Sequence, residues 1–236
     1  MKRFLWLVLA LGACQRPTAP PRAPKHPDMH VDPPLPGIPL AIHPPNLEQH
    51  DDEPLWQQAM STGPWRELNA STPARPFSQA RMLWDAQNLY LSLYAADQNI
   101  QADDAQHDQP LWLHDAFSLR IQADLPQSPT YAVEIAPTGT VTDLRLQNNL
   151  AETRWESEAR VVMDMDGTLN DAQGEDDEEW VAFVALPWAN LGIAAAPGTR
   201  VHLQFSRCDV PKDGIKRCGE WVQTVVLNAG GGQHDP

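Results

Sequence analysis

The sequence has little positive charge for its size. Among its 236 residues there are 17 Lys and Arg against 31 Asp and Glu, which gives a formal net charge of −14 at pH 7. A surface with this excess of negative charge repels phosphate backbones and anionic lipid headgroups. The composition therefore excludes nucleic acid as a partner, and it excludes attachment to a membrane through a basic patch.

Recognisable catalytic motifs are also missing. No Ser, Cys or Thr stands in a pattern that would activate it as a nucleophile, and the eight histidines are scattered along the chain. Two carboxylates can hydrolyse a glycoside, but no pair among the many acidic residues is set apart by an apolar context. We therefore predict that the protein is not an enzyme and that it carries no cofactor.

Long hydrophobic runs are absent as well. The apolar run at residues 4–11 is much shorter than the about 20 residues that span a bilayer. It follows a basic start and precedes small residues, which is typical of an export signal, so we predict a signal peptide at residues 1–13. Leu11-Gly12-Ala13-Cys14 also resembles the bacterial lipobox, which predicts that Cys14 is lipidated. An ordinary signal peptide with an unrelated cysteine is the alternative.

A lipid anchor on Cys14 would hold the protein firmly on a membrane. Gln15 follows this cysteine, whereas an Asp there is associated with inner-membrane retention in enteric bacteria. We therefore expect a cell-envelope protein attached to the outer membrane, on either its periplasmic or its surface face.

Residues 14–50 are predicted to form a disordered linker. Twelve of the 23 prolines lie between residues 15 and 54. A segment with so many prolines and so few aromatic side chains cannot bury enough surface to fold and stays extended. The folded domain is therefore expected at residues 51–228, followed by a flexible tail at residues 229–236.

The chain has few cysteines, and two of them stand close together. Cys208 and Cys218 flank a segment with turn-forming residues at its centre. Two strands joined by that turn would bring the thiols face to face, so we expect a disulfide in an oxidising compartment. A metal site, which would lack enough ligands, and a pair of free thiols are the alternatives.

From about residue 55 onward, short strands dominate the pattern. Leu89, Leu91 and Leu93 alternate with polar or aromatic residues, the period of two that a half-buried strand requires. Turn residues separate the candidate strands, and helix signals are few. This pattern predicts an all-β domain, a single jelly-roll-like β-sandwich. The candidate strands lie near residues 80–85, 89–96, 115–123, 130–136, 140–146, 159–165, 180–186, 199–207 and 219–228.

Alternation along three of these strands separates an inward face from a polar face. The residues expected to point inward are Phe117, Leu119, Ile121, Tyr131, Val133, Ile135, Val201, Leu203 and Phe205. The opposite face carries Ser118, Arg120, Gln122, Ala132, Glu134, His202 and Gln204. A polar sheet face of this kind either holds a ligand or is simply solvated.

Several motifs resemble carbohydrate-binding module family 9. They are Asp52-Glu53-Pro54-Leu55-Trp56-Gln57-Gln58-Ala59, the stretch at residues 80–118, the strand at residues 180–188 with its Pro-Trp end, and Gln204-Phe205-Ser206-Arg207. The resemblance spans residues 50–225 and implies a non-catalytic β-sandwich that binds a glycan. We expect a monomer.

The resemblance also implies a sugar site. Trp112 matches a family tryptophan that stacks on the sugar, and Asp115 could accept hydrogen bonds from hydroxyls. Arg207 matches an arginine that recurs in the family, and Trp221 stands nearest to the second family tryptophan, which has no direct counterpart. Two more departures, Ser118 for Glu and Glu134 for Arg, leave an alternative: an envelope scaffold or adhesion domain that kept the fold and lost the sugar site.

The acidic segment around residues 164–179 raises the question of metal binding. Asp164 and Asp166 stand in a pattern reminiscent of a calcium loop, and the family often carries structural calcium. A solvated acidic loop without an ion is the alternative. Related sandwiches also hold haem, for which Met82, Met163 and His202 are the conceivable ligands.

Overall fold

The computed structural model describes residues 34–102, 107–111, 113–148, 150–171 and 177–230. Within these ranges the chain forms thirteen strands and two short 3-10 helices. The strands are β1 (Gly37–Ile38), β2 (Met60–Ser61), β3 (Arg66–Glu67), β4 (Ser78–Trp84), β5 (Asn88–Ala96), β6 (Ala116–Ala123), β7 (Thr130–Ile135), β8 (Val141–Gln147), β9 (Leu150–Glu152), β10 (Arg160–Asp166), β11 (Glu179–Pro187), β12 (Arg200–Asp209) and β13 (Arg217–Leu227), and the helices are Leu47–Asp52 and Pro54–Gln58.

Two sheets make up the domain. The larger has eight strands in the order β1-β13-β12-β6-β7-β8-β9, with β3 also paired to β13. The smaller has five strands in the order β10-β11-β5-β4-β2. Except for the parallel β1–β13 pair, neighbouring strands run antiparallel. Their inner faces pack together, so the predicted all-β sandwich is confirmed.

The nine predicted strands are all present, each within a few residues of its predicted ends. The turn between β4 and β5 shows why the local sequence was sufficient to predict the positions of these strands. Asp85 Oδ1 accepts hydrogen bonds from the backbone N–H groups of Gln87 and Asn88. A side chain that satisfies two turn donors fixes the turn without help from distant residues. The four strands that the sequence analysis missed, β1, β2, β3 and β9, have two or three residues each.

The core between the sheets contains the side chains that alternation assigned to it. All nine residues predicted to point inward from β6, β7 and β12 are buried. Aromatic rings fill its centre: the Phe117 and Trp180 ring centroids lie 4.5 Å apart, and Trp65 packs against both Phe117 and Phe205. Aromatic side chains contribute large buried areas, which makes this cluster a principal source of stability.

A second cluster covers the outer face of the five-stranded sheet, and it corrects two expectations. Leu47, Leu55 and Trp56, on the two 3-10 helices, pack against Tyr90 and Phe183 of the sheet. The strand at residues 89–96 is therefore covered on both faces and not half-buried, because the preceding chain folds across it.

The folded unit also begins earlier than predicted. The compact unit starts at Leu35. Within it, β1 pairs with β13, and Ile38 is buried in the central core. The predicted boundary at residue 50/51 was therefore too late, because ladder hydrogen bonds to β13 and apolar contacts outweigh the local effect of the prolines. Residues 1–33, which include Cys14, and residues 231–236 lie outside the described residues.

The predicted disulfide is present. Cys208 and Cys218 are direct register partners on β12 and β13 and are joined through their sulfur atoms. The pairing follows from the turn between the two strands, as expected. In the part of the chain that the structure describes, no helix has both the length and the apolarity needed to cross a membrane.

Candidate functional site

The outward face of the eight-stranded sheet is the candidate site. We call it the outer polar face and define it by Arg120 and Gln122 on β6, Glu134 on β7, Gln204 on β12 and Glu220 on β13. Their register partners show that they share one face: Gln204 stands opposite Arg120. Among the described residues, the apolar cluster on this face is confined to Leu111, Ala116 and Ala136. The rest of the face is therefore open, unlike the covered face of the five-stranded sheet.

A groove of about 240 Å³ runs along this face between β6 and β12. Arg120, Gln122 and Gln204 line it together with His202, and Val222 gives it an apolar patch. The Nε2 of Gln204 donates a hydrogen bond to Glu220 Oε2 over 3.1 Å. Guanidinium, amide and carboxylate groups side by side offer both donors and acceptors, as an array of sugar hydroxyls requires.

Glu134 connects this face to the loop that carries Trp112. Its carboxylate accepts a hydrogen bond from the backbone N–H of Leu111. Burial raises the pKa of Glu134, while the nearby Arg120 guanidinium acts in the opposite direction. Trp112 itself lies outside the described residues. Leu111, which precedes Trp112 in the sequence, packs with Ala116 and Ala136.

Asp115 lies in the interior and is 1% exposed. Its Oδ2 accepts a hydrogen bond from the Gln101 N–H at 2.6 Å, and its Oδ1 accepts one from the Val210 N–H at 2.8 Å. The Asp115 N–H in turn donates to the Gln101 carbonyl. These bonds close the base of the loop between residues 101 and 115. The structure therefore gives Asp115 a role in holding that loop in place of the predicted contact with sugar hydroxyls.

Arg207 is also buried, on the inner face of β12. One terminal nitrogen, Nη2, donates to Asp97 at 2.6 Å and to Asp209 at 2.9 Å. The other, Nη1, donates to the Ala96 carbonyl at 2.8 Å and to Ser78 Oγ. Arg207 thus ties β12 of one sheet to β4 and β5 of the other. It joins the sheets here, and this role replaces the predicted contact with a sugar.

Trp221, the remaining predicted sugar contact, lies on the inner face of β13. It stands opposite Phe205 in the register, and their ring centroids lie 5.8 Å apart. Its ring packs on the core between the sheets and is only partly buried. It therefore does not share a face with Gln204 or Glu220.

Three buried carboxylates share the single Arg207 guanidinium. Oxygens of Asp97, Asp115 and Asp209 lie within 4.8 Å of one another. Burial raises the pKa of Asp115 to about 7, with a further contribution from the Asp97 charge. Burial likewise raises the pKa of Asp209 to about 6, against the attraction of Arg207. One cation cannot neutralise three carboxylates in a low-dielectric interior, so the group retains protons that exposed carboxyls would lose.

This group makes stability depend on pH. Between the ordinary Asp pKa and the raised values, the folded protein binds more protons than the unfolded chain, so the free energy of unfolding falls as pH rises. A tenfold change in proton affinity corresponds to about 1.4 kcal/mol, so we expect a loss on the order of 2 kcal/mol between about pH 5 and pH 8. Urea unfolding across this range measures it. An Asp115→Asn variant, which cannot titrate there, is expected to show a shallower slope, and an unchanged slope would contradict the assignment.

The candidate metal ligands from the sequence do not come together. Asp164 is exposed and lies 3.4 Å from the His50 ring, and the exposed Asp166 ends the edge strand β10. Neither belongs to a group of three ligating side chains among the described residues. The two groups that the structure does form are the carboxylates around Arg207, where the guanidinium supplies the positive charge, and a set at His107, Asp108 and Asp143.

The conceivable haem ligands are also separated. Met82 is fully buried on β4 of the five-stranded sheet. His202 lies on the other sheet, where its ring bonds Thr224 and Asp124.

A cleft of about 760 Å³ opens at the end of the sandwich beside the disulfide loop. Phe77, Asp97, Asp209, Lys212 and Arg217 are among its lining residues. The sequence analysis did not single out Phe77 or Asp97 as site residues. Asp97 and Asp209 both form ion pairs with Arg207. The cleft is therefore adjacent to the structural cluster, and the open polar array lies on the outer polar face.

The domain is thus a β-sandwich of two packed sheets, and its fold is similar to that of several solved structures. A candidate carbohydrate-binding protein of Bacteroides uniformis has the same fold, with a TM-score of 0.61 and 11% identity over 82% of this chain and 97% of that one. Two structures of family 9 modules from Caldicellulosiruptor kristjanssonii, in complex with glucose and with cellotriose, give TM-scores of 0.55 and 0.51 at 11% and 12% identity. They cover 84% and 85% of this chain and 99% and 96% of theirs.

The chain therefore has a family 9-like fold, as its motifs predicted. At this level of identity the likeness concerns the fold. No protein-family model matches the sequence, and the comparison with curated proteins also found no match.

Proposed function

We propose that the domain binds a glycan, without catalysing a reaction, through the outer polar face and through Trp112, which directly follows Leu111 in the sequence. The observation that carries the proposal is the open face itself, where Arg120, Gln122 and Gln204 form a groove on a fold like that of sugar-binding modules. Hydroxyl groups would bond the amide and guanidinium groups, and the Trp112 ring would stack on the apolar face of a sugar ring.

The attachment to the cell envelope belongs to the same proposal. Lipidation of Cys14 would fix the protein to the outer membrane and place the sandwich where extracellular or cell-wall polysaccharide is present. This part rests on the lipobox-like sequence alone. Incorporation of a labelled fatty acid, lost in a Cys14→Ser variant, would test it.

The binding experiment uses the fragment 35–236, since β1 belongs to the fold. Retention on insoluble polysaccharides and titration with cellotriose and glucose are measured for the fragment and its Arg120→Ala, Gln204→Ala and Trp112→Ala variants. We expect Arg120→Ala to bind at least about tenfold more weakly, because a lost hydrogen bond to a charged group costs about 1.5–3 kcal/mol. Gln204→Ala should bind severalfold more weakly, because a neutral hydrogen bond contributes about 0.5–1.5 kcal/mol. Trp112→Ala should weaken binding through the loss of stacking. Arg160→Ala is the matched control, since Arg160 is an exposed strand residue of the other sheet that pairs with Glu48.

Saturable binding that survives all three variants would reject the outer polar face as the site. A folded fragment that retains no glycan would favour the second candidate, a scaffold or adhesion domain. One observation favours that candidate: Asp115 and Arg207 are buried, and Trp221 packs on Phe205 at the inner face, so none of the three belongs to the outer polar face. Co-purification of an envelope protein with a glycan-free domain would then identify the partner.

A further inference from the structure

A group of ligating side chains lies at the edge of the sandwich, on residues that the outer polar face does not use. One ring nitrogen of His107 and one carboxylate oxygen each of Asp108 and Asp143 lie within 4.8 Å of one another. Glu156 joins them, because its Oε2 lies 2.9 Å from Nε2 of His107. The four residues come from the loop before β6, from β8 and from the segment before β10, so only the tertiary structure brings them together.

Asp143 points to a ligand within this group. It is 3% exposed, and its Oδ2 accepts a hydrogen bond from the Ser157 N–H at 2.7 Å. Its Oδ1 is buried without a hydrogen-bond partner. A buried carboxylate oxygen without a donor is costly, and in native proteins an ion or a water completes it. Asp143 lines a cavity of about 360 Å³ together with His107 and Glu156, so there is space for such a ligand.

His107 has the orientation of a metal-binding histidine. Its Nδ1 lies 2.8 Å from the Val141 carbonyl oxygen. Because a carbonyl can only accept, Nδ1 carries the hydrogen, and the lone pair of the neutral ring is on Nε2. That lone pair faces carboxylate oxygens of Glu156 and Asp108, at 2.9 and 3.6 Å. With the neutral ring, three acceptors directed at one another repel unless a proton on Nε2 or a cation lies between them. An Nδ1–H bond to a backbone carbonyl is the usual support for a ligating imidazole.

The spacing of these atoms fits a bound ion. Zinc binds imidazole nitrogen and carboxylate oxygen at about 2.0–2.2 Å, which separates neighbouring ligand atoms by about 3.0–3.6 Å. The 3.6 Å between His107 Nε2 and Asp108 matches that range, whereas the 2.9 Å between Nε2 and Glu156 Oε2 is a hydrogen-bond distance, so Glu156 would shift outward by a few tenths of an ångström on binding zinc. An imidazole ligand favours zinc over calcium, which prefers oxygen alone. We propose that His107, Asp108, Asp143 and Glu156 form a zinc site, independent of the glycan proposal.

The test is titration of the chelator-treated full chain with zinc chloride and, separately, calcium chloride, by isothermal titration calorimetry. We expect zinc to bind and to raise the melting temperature, with calcium binding at least tenfold more weakly. His107→Gln and Asp143→Asn are each expected to weaken zinc binding at least tenfold. The Asn side chain can still accept the Ser157 N–H, so Asp143→Asn retains the local bond to the backbone.

Two glutamates provide a matched comparison. Glu156→Gln removes a proposed ligand, whereas Glu158→Gln changes an exposed neighbour that lines the same cavity but lies outside the ligating group. Weakened binding in the first and unchanged binding in the second would support the site. A proton on His107 Nε2, forming an ordinary ion pair with Glu156, is the competing explanation. Absence of zinc binding, or binding unaffected by His107→Gln and Asp143→Asn, would establish that explanation and overturn the proposal.

Discussion

Replacing Arg207 by Met is expected to destabilise the domain by about 3–5 kcal/mol, because removal of one partner from a buried ion pair leaves the other charge uncompensated. Here Asp97 and Asp209 would both lose their counter-ion, since each accepts a hydrogen bond from Arg207 Nη2 in the interior. The links to Ala96 and Ser78 across the two sheets would also be lost. Urea or thermal unfolding measures the change.

Arg217 supplies a control of the same residue type. It lies 2.6 Å from Asp213, the same distance that separates Arg207 from Asp97, but its side chain is 39% exposed against 2% for Arg207. Solvent screens an exposed pair, so Arg217→Met is expected to change stability little. The loss of stability caused by Arg207→Met should be smaller at low pH, because the carboxyl groups of Asp97 and Asp209, left without their counter-ion, are then protonated. Equal effects of the two substitutions would show that burial does not govern these pairs.

Replacing Trp180 by Ala is expected to cost about 3–5 kcal/mol, as large-to-small changes of a core tryptophan usually do. Trp180 is fully buried, packs against Phe117, and lies under the Arg207 guanidinium, whose central carbon is 5.9 Å from the ring centroid. Its indole N–H also donates to Asp97 Oδ2 at 3.1 Å. The substitution therefore removes core volume and one donor of the buried charge cluster together.

Trp180→Phe separates these two contributions. The smaller ring retains much of the packing but loses the hydrogen bond to Asp97, so we expect a loss of about 1–3 kcal/mol. Trp221→Ala, at a ring that is only partly buried at the sandwich edge, should cost less than Trp180→Ala. A Trp221→Ala loss equal to that of Trp180→Ala would contradict the central position assigned to Trp180.

The buried charge cluster around Arg207 shows which contacts could not be predicted from the sequence. Val201, Leu203 and Phe205 point inward, and Arg207 continues that series by the same period of two. The sequence analysis did not extend this alternation to Arg207 and expected a sugar contact there. Its partner Asp97 lies 110 positions away along the chain, and no local pattern predicts that contact. Asp115 is a similar case, since its two backbone donors, Gln101 and Val210, lie 14 and 95 positions away along the chain.

The covering of the five-stranded sheet is a second example. Tyr90 and Ser92 occupy the polar positions of an alternating strand, yet both are buried. The segment with the two 3-10 helices folds over them, although its prolines indicated a linker. Proline content reports the local cost of ordering the chain, whereas the free energy gained by burying Leu47 and Trp56 depends on a surface supplied by distant strands.

The sequence by itself determined the all-β sandwich, its nine long strands, the inward residues, the disulfide and the likeness to family 9 modules. These features could be predicted because alternation, turn residues and cysteine spacing are local signals in the sequence. The tertiary structure alone decided which sheet face stays open, that Arg207 and Asp115 are structural, and that His107 meets Asp143. These outcomes depend on contacts between residues far apart in the chain, whose free energy is realised only when the sheets pack.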